Sequence, residues 1–121
     1  MAEYIRKGAN IISIITNDGW WGNTPGHRQH LAYAKLRAIE TRKHIIRSAN
    51  TGISCFIDEM GNITQPQPYW EFAVINQNVS LNSVKTFFVR FGDLISYASV
   101  FLAALILLYS QFLRFKMRKN P

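Results

Sequence analysis

The sequence predicts a layered α/β domain followed by one membrane-spanning helix, and two observations support this class. Residues 1–79 contain short β-branched runs on either side of one long helical segment, which is the pattern of an α/β domain. Residues 94–113 form a run of twenty uncharged residues, which at about 1.5 Å of rise per residue matches a hydrocarbon core roughly 30 Å thick. With 121 residues, of which 48% are hydrophobic and 17% charged, the chain holds one folded domain at most and is not a disordered polymer.

The N-terminal elements follow from local patterns. Residues 2–8 are typical of the end of a helix stopped by Gly8, and residues 11–16 are a nearly continuous apolar run that predicts a strand buried on both faces. Residues 17–26 concentrate Gly, Pro, Asn and Asp around the paired Trp20 and Trp21. This composition predicts a long structured loop, and loops carry functional residues more often than strands do.

A helix and several strands should complete the domain. Residues 27–43 have helical spacing of apolar side chains, with one inner row and a second row that widens the apolar face: Leu31, Ala34, Ala38, Tyr33, Leu36 and Ile39. Residues 44–49 and 51–57 read as two strands, and residues 59–62 form a turn into Ile63 and Thr64. Alternating apolar residues at 72–79 predict one more strand.

The distribution of charge supports a membrane location. The formal net charge is +7, and residues 114–121 hold four positive charges and no acid. A basic cluster beside an apolar helix predicts a cytoplasmic C-terminus with the preceding residues on the far side of the membrane. A buried core helix is the alternative for residues 94–113, but so short a chain has no core able to cover this segment on all sides. The same charge distribution disfavours a nucleic-acid-binding protein.

Export of the domain needs an explanation, because residues 1–10 lack the apolar segment of a secretory signal. Either the helix is a tail anchor with a cytoplasmic domain, against the charge rule, or further membrane spans precede this sequence.

Several side chains are of types found in catalytic or metal-binding sites, but their sequence context does not support such a role. His27 and His30 have a spacing that zinc can use, but no carboxylate or thiolate is placed to complete a ligand set, so we expect no metal and assign His27 to ordering the loop. Cys55, the single cysteine, lies in an alternating strand and should be a small buried hydrophobe. Glu40 falls on the apolar helix face, where an ion pair with Arg37 or Arg47, or backbone N–H groups, would stabilise it.

One long segment is recognisable. Residues 16–58 contain N-D-G-W-W-G from Asn17, then H-x-x-x-A-x-x-R-A-I-E from His30 to Glu40, then R-S-A-N-T-G from Arg47. This segment resembles the C-terminal half of the carbon–nitrogen hydrolase (nitrilase) fold, and within it the Trp-containing loop and the closing apolar helix resemble the apolipoprotein N-acyltransferase family. The resemblance covers residues 2–79 and the helix at 94–113. It implies the C-terminal half of an α-β-β-α sandwich followed by one transmembrane helix.

The resemblance also implies a function. Members of that family are bacterial inner-membrane enzymes with a periplasmic nitrilase-like domain, and they transfer an acyl chain from a phospholipid donor to the N-terminal cysteine of an apolipoprotein acceptor. They use a thioester on the Cys of a Glu–Lys–Cys triad and no cofactor. That triad lies upstream of the helix with which this sequence begins, so we expect these 121 residues alone to be inactive and Cys55 not to be the nucleophile. Residues expected to line the cleft loop are Asn17, Asp18, Trp20, Trp21 and His27, with Arg37 and Glu40 as structural residues near the site.

We therefore expect a partial hydrolase domain at 1–82, a linker at 83–93, the transmembrane helix at 94–113 and a basic cytoplasmic tail at 114–121. The simplest account of the sequence is a truncated reading frame. A non-catalytic, single-span protein that keeps the scaffold as a binding or vestigial module is the alternative. A soluble amidase is disfavoured by the terminal helix.

Overall fold

The computed structural model describes residues 1–119, with side chains through residue 115. It divides into two compact units, one of residues 1–90 and one beginning at Phe91. In chain order the elements are α1 (Ala2–Arg6), β1 (Ile12–Thr16), α2 (Pro25–Thr41), β2 (Ile45–Ala49), β3 (Cys55–Ile57), β4 (Ile63–Thr64), α3 (Phe87–Phe91) and α4 (Leu94–Lys119). The predicted class, an α/β domain followed by one apolar helix, is confirmed.

The four strands form one sheet in the order β1-β2-β3-β4. β1 and β2 are parallel, with Thr16 opposite Ala49, and α2 makes the crossover between them. β2 and β3 are antiparallel, as are β3 and β4. Because β1 and β2 end at the same edge of the sheet, the loop after β1 lies beside the β2–β3 turn, which positions the candidate site described below.

The core lies between the sheet and the helices of the first unit. Small residues on the inner row of α2, Ala34 and Ala38, allow close packing of that helix on the sheet. The buried cluster comprises Ile5, Ile12, Ala34, Ala38, Ile45, Cys55, Ile57 and Val89. It draws on α1 and α3 as well as on the sheet, so both short helices belong to this core.

The prediction that β1 is buried on both faces is wrong. Only Ile12 of this strand is buried, and the side chain of Ile15 is 85% exposed. The exposed residues Ser13 and Ile15 share one face of β1, and that face is not covered within the first unit. A run of β-branched residues indicates a strand that can be buried on both faces. Burial of the second face also requires another element to pack against it.

Helix α2 begins two residues earlier than predicted, at Pro25, with Thr24 as the N-cap. Proline suits the first turn because its missing N–H would have no intrahelical partner there. The helix ends at Thr41, because the C-cap residue Arg42 has a left-handed backbone (φ 52°, ψ 43°). The predicted inner row is buried or half-buried, but Tyr33 is 64% exposed, so the widened apolar face is not covered within the described residues.

The strand predicted at 72–79 is absent from the structure, which is a second error. This segment has no ladder hydrogen bonds and is held beside β4 by side chains, since Gln65 donates to the Asn76 carbonyl at 2.9 Å and Thr64 donates to Gln77 at 2.5 Å. Its apolar side chains are not the sheltered ones, because Phe72 is 99% exposed and Val74 is 86% exposed, whereas the polar Gln77 is half-buried. The alternating pattern therefore predicted neither a pairing partner nor the residues that are buried.

Residues 82–89 are fastened to the first unit by buried polar contacts. The fully buried ammonium of Lys43 donates to the Asn82 carbonyl (2.7 Å), the Asn82 side chain (2.6 Å) and the Val84 carbonyl (2.8 Å). Burial, together with the nearby positive charge of Lys85, lowers the pKa of Lys43. Since oxygen atoms surround this cation, residues 82–84 are held closely against the rest of the first unit.

Helix α4 is apolar over residues 94–115, has a mean hydropathy of 1.8 there, and is long enough to cross a membrane. Its N-terminus is capped by Asp93, which accepts hydrogen bonds from the backbone N–H and hydroxyl of Ser96. The side chains of this segment are exposed within the second unit, as expected for a helix whose solvent is lipid. The basic residues predicted to form the tail after residue 115 lie outside the described side chains.

Candidate functional site

Residues 17–26, which we call the Trp loop, connect β1 to α2. The loop contains one 3-10 turn, Gly19–Trp21, and ends where Thr24 caps α2 and donates to the Trp21 carbonyl at 2.7 Å. At its start, the side-chain oxygen of Asn17 accepts from the backbone N–H of Gly19 and the hydroxyl of Thr51, both at 3.0 Å. Both ends of the loop are therefore fixed, one to α2 and one to the β2–β3 turn.

A fully buried carboxylate lies beneath the Trp loop. Asp18 accepts hydrogen bonds from Arg47 at 2.5 Å and from the Nδ1 of His30 at 2.8 Å, and the Thr16 hydroxyl donates at 3.1 Å. Arg47 is itself buried and donates to the Ile53 carbonyl. This buried pair joins the Trp loop to β2 and to the β2–β3 turn.

The ionised form of Asp18 is favoured despite its burial. Desolvation alone would raise the pKa of this carboxyl group, but the His30 hydrogen bond, the Arg47 charge and the Thr16 hydroxyl bring the pKa below its ordinary value. A carboxylate cannot donate a hydrogen bond, so the Nδ1 of His30 carries the proton that it shares with Asp18. The same Nδ1 lies 3.4 Å from a guanidinium nitrogen of Arg47, so His30, Asp18 and Arg47 form one polar cluster beneath the Trp loop.

The β2–β3 turn fits closely against Asp18. A Cβ atom at Gly52 would lie 2.2 Å from the Asp18 Oδ2 and 2.7 Å from its Cγ. Only glycine therefore allows the turn to pack over the carboxylate without displacing it.

A shallow cavity of about 420 Å³ opens between the Trp loop and the β2–β3 turn. Its lining combines two large aromatic residues with short polar ones: Asn17, Gly19, Trp20, Asn50, Thr51 and Trp70. Trp20 is 86% exposed and Trp70 is 67% exposed. Exposed indoles beside amide and hydroxyl groups suit a ligand that has both an apolar part and a polar part.

Comparison with known proteins places this fold and loop in a family. The model of the carbon–nitrogen hydrolase family matches residues 1–87. The chain belongs to the carbon–nitrogen hydrolase family. The buried Asp18–Arg47 pair and the cavity beside it both lie within the matched residues, and we call the first unit, residues 1–90, the hydrolase unit.

Curated relatives of this carbon–nitrogen hydrolase chain share one name. It is 35% identical over 108 residues to an apolipoprotein N-acyltransferase of Chlorobaculum tepidum, covering 89% of this chain. It is 38% identical over 103 residues to one of Geobacter metallireducens (85% of this chain) and 43% identical over 81 residues to one of Agrobacterium fabrum (67%). The aligned part is 20%, 20% and 15% of those proteins, so the chain spans about a fifth of the length of the relatives that it matches.

The five residues predicted for the cleft loop occupy different environments. Asn17 and Trp20 line the cavity, and Trp21, 44% exposed, lies on the α2 side of the loop. Asp18 and His27 are buried, and His27 stacks on Tyr69 with a centroid distance of 4.4 Å. The two buried residues support the loop from below, so they cannot touch a ligand in the cavity without rearrangement.

The other two predicted residues, Arg37 and Glu40, form an ion pair with a 2.5 Å contact, one of the partnerships that the sequence left open for Glu40. They lie near the C-terminal end of α2, roughly 18 Å along the helix from its start at 1.5 Å per residue. The Glu40 carbonyl accepts a hydrogen bond from Thr86. This pair therefore stabilises the end of the hydrolase unit nearer residues 82–90, away from the Trp loop.

Sequence reasoning missed four residues that build the site: His30, Arg47, Thr51 and Trp70. Arg47 is an inward-facing charge on a strand whose neighbours Ile45 and Ala49 are apolar, and that pattern signals a buried partner. No local sequence pattern identifies Thr51 or Trp70 as site residues, because they reach the site only where a turn and a coil segment contact the Trp loop. Within the described residues, no group of three His, Cys, Asp or Glu side chains is placed to hold a metal ion.

Cys55 of this hydrolase unit is fully buried in β3. Desolvation raises the pKa of its thiol to about 11, against the opposing effect of the Arg47 charge. The structure therefore gives this thiol neither the exposure nor the ionisation that a nucleophile needs, as the alternating strand pattern predicted.

We expect Cys55 to resist alkylation in the folded chain. At pH 8 a thiol with a pKa near 11 is ionised in roughly one molecule in a thousand, and it is also shielded from the reagent. Mass spectrometry after treatment with iodoacetamide should show modification at least about 100-fold slower than in the same chain denatured in urea. Equal rates in the folded and the denatured chain would contradict the buried placement.

Proposed function

We propose that this chain supplies the C-terminal part of a membrane N-acyltransferase, which transfers an acyl chain from a phospholipid to the N-terminal cysteine of apolipoproteins through a thioester. One observation carries the proposal: the similarity to the relatives named apolipoprotein N-acyltransferase extends over 108 residues, beyond the 87 matched by the general hydrolase family. The similarity thus continues past the hydrolase unit toward the apolar helix. The chain contributes the Trp loop, its buried support and a membrane anchor.

In this proposal the Trp loop forms part of the acyl-binding cleft. Trp20 and Trp70 are exposed, and indole rings favour the interface between lipid and water, where an acyl donor enters. Asn17 and Thr51 supply polar groups at the floor of the same cavity. The thioester chemistry needs a thiolate, a base and an oxyanion donor, which the family's triad supplies and Cys55 does not.

The location proposed for the whole protein is the bacterial inner membrane, with the hydrolase unit periplasmic and the C-terminus cytoplasmic. The apolar helix and the names of the relatives support association with a membrane. The orientation rests on the four basic residues after residue 113. The domain limits at 82, 93 and 113 are part of the same proposal.

We predict that α4 anchors the chain in the bilayer. Alkaline carbonate extraction of membranes from cells that express it should leave the chain in the pellet, because a span of 22 predominantly apolar residues is buried in lipid. A matched variant with Leu105→Arg and Leu108→Arg places two charges in the middle of the span and should shift chain to the supernatant. Release of the unaltered chain would contradict the membrane assignment.

The acyltransferase proposal is tested with a chimera. This chain would replace the matching C-terminal residues of the Geobacter metallireducens relative, and the chimera would be expressed in a strain depleted of its own N-acyltransferase. The proposal predicts that growth is restored. A chimera that is stable and membrane-bound but restores no growth would favour the alternative, in which the chain is a non-catalytic single-span module.

Within that chimera, Trp20→Ala should slow acyl transfer at least about 10-fold while leaving the melting temperature nearly unchanged. The ring is 86% exposed, so its removal should change the free energy of unfolding by about 0.5 kcal/mol or less. The matched control is Tyr4→Ala, an aromatic residue of α1 that is 73% exposed and does not line the Trp-loop cavity. A large loss of stability in Trp20→Ala, or unchanged transfer, would show that Trp20 has no part in the cleft.

A further inference from the structure

Residues 82–90, which we call the strap, precede the apolar helix and belong to the hydrolase unit. At the start of the strap, the buried ammonium of Lys43 donates to three oxygen atoms, at 2.7, 2.6 and 2.8 Å. Near its end, Val89 is fully buried in the core, and the Val89 carbonyl accepts a hydrogen bond from Arg6 at 2.9 Å. The strap is therefore fixed to the hydrolase unit at both ends.

The strap also completes the C-terminal end of α2. The last carbonyl groups of a helix lack intrahelical donors and need partners from elsewhere. The Thr86 hydroxyl donates to the Glu40 carbonyl at 2.6 Å, and the Asn82 side chain donates to the Arg42 carbonyl at 3.0 Å. Because the strap supplies these donors, it moves with the hydrolase unit as part of its fold.

The first turn of α4 is fixed as well, but by its own residues. The Asp93 carboxylate accepts hydrogen bonds from the Ser96 N–H at 3.1 Å and from the Ser96 hydroxyl at 2.5 Å. The Asp93 carbonyl accepts from the Tyr97 N–H at 3.3 Å. Such a cap pairs donors that the first turn of a helix leaves open, so Asp93 moves with α4.

Gly92 lies between these two fixed pieces. α3 ends at Phe91 and α4 begins at Leu94, so Gly92 and the capping residue Asp93 join the two helices. Gly92 has a φ of 72°, a conformation that glycine adopts about as readily as one of negative φ. A Cβ atom at Gly92 would meet no atom within 4 Å, so close packing does not hold this backbone in place.

We propose that Gly92 is a hinge between the hydrolase unit and the proposed membrane anchor α4. The strap moves with the hydrolase unit and Asp93 moves with α4, so a change of direction is confined to the backbone of Gly92. Hinges of this kind are a few residues at the ends of elements that absorb a large change in φ and ψ. The hinge lets the hydrolase unit tilt at the membrane while a short connection keeps it close to lipid. This inference rests on α4 as a membrane anchor and does not require acyl transfer.

Two spin labels measure the range of this hinge. Ser48→Cys in the hydrolase unit and Ser99→Cys in α4 provide exposed positions for the labels, and Cys55→Ala removes the native thiol. With the full 121-residue chain in lipid nanodiscs, pulsed electron paramagnetic resonance gives the distribution of distances between the labels. Gly92→Val should make this distribution about twofold narrower, because valine loses the positive-φ half of the conformations open to glycine.

Two control variants separate a hinge from a general loss of stability. Gly92→Asn should keep most of the width, because asparagine tolerates the left-handed conformation better than a β-branched residue does. Gly8→Val changes another glycine that has a positive φ and open space around its Cβ, but within the hydrolase unit, so it should leave the width unchanged. An inserted chain whose distribution is the same in Gly92→Val, or changes equally in Gly8→Val, would overturn the hinge. A chain that is absent from the nanodiscs would instead refute the membrane anchor on which the hinge depends.

Discussion

Replacing Arg47 with methionine should lower the free energy of unfolding of the hydrolase unit by about 3–5 kcal/mol, the cost of leaving one member of a buried ion pair without its partner. Asp18 would keep its charge and lose its 2.5 Å contact with the guanidinium, and the Ile53 carbonyl would also lose a donor. Methionine retains much of the volume, so little of the effect should come from a cavity. Denaturant unfolding followed by tryptophan fluorescence measures the change.

The matched control for Arg47→Met is Ser48→Ala, an exposed change on the same strand, which should alter stability by about 0.5 kcal/mol or less. Combining Arg47→Met with Asp18→Leu should recover part of the loss, because an apolar pair leaves no buried charge unpaired. If Arg47→Met were as mild as the control, the buried pair would not be the support of the Trp loop.

Gly52→Ala should also destabilise the hydrolase unit. The added Cβ would lie 2.2 Å from the Asp18 Oδ2, so either the β2–β3 turn or the carboxylate must move. Overpacking of this kind costs about 1–3 kcal/mol, and displacement of Asp18 would weaken its bonds to Arg47 and His30 as well. Thermal unfolding reports the stability, and the His30 side-chain resonance reports whether the carboxylate has moved.

The coupling between Gly52 and Asp18 can be isolated by a double-mutant cycle. In a background of Asp18→Ala the clashing atoms of the carboxyl group are gone, so Gly52→Ala should then cost much less than in the unaltered chain. Equal costs in both backgrounds would mean that Gly52 is constrained by its own turn rather than by the carboxylate.

Local patterns predicted most of the elements because each depends on neighbours in sequence. The helical spacing of Leu31, Ala34 and Ala38 located α2, and the turn at Gly61 located the hairpin of β3 and β4. The errors arose where a partner decides the outcome. β1 has the composition of a doubly covered strand but one of its faces is open within the first unit, and residues 72–79 have no strand to pair with.

The candidate site was likewise predicted where it depends on local sequence and missed where it depends on contacts between distant residues. The Trp loop was identified from its composition, since glycines beside paired tryptophans are local information. The pairing of Asp18 with Arg47 joins residues 29 positions apart, and the sequence analysis considered that arginine only as one possible partner of Glu40. Only the parallel register of β1 and β2, which brings their carboxyl ends together, selects Asp18. Trp70 reaches the cavity through an irregular segment with no pattern at all.

The central claim, that this chain completes an N-acyltransferase, is tested most directly by the mass of the product made by the purified chimera. After incubation with phospholipid and a diacylated lipopeptide that has a free N-terminal amine, mass spectrometry should show the addition of one acyl chain at that amine, with the isolated 121-residue chain giving none. A folded, membrane-inserted chimera that leaves the lipopeptide diacylated would contradict the claim, as would triacylated product from the isolated chain that disappears in Cys55→Ala.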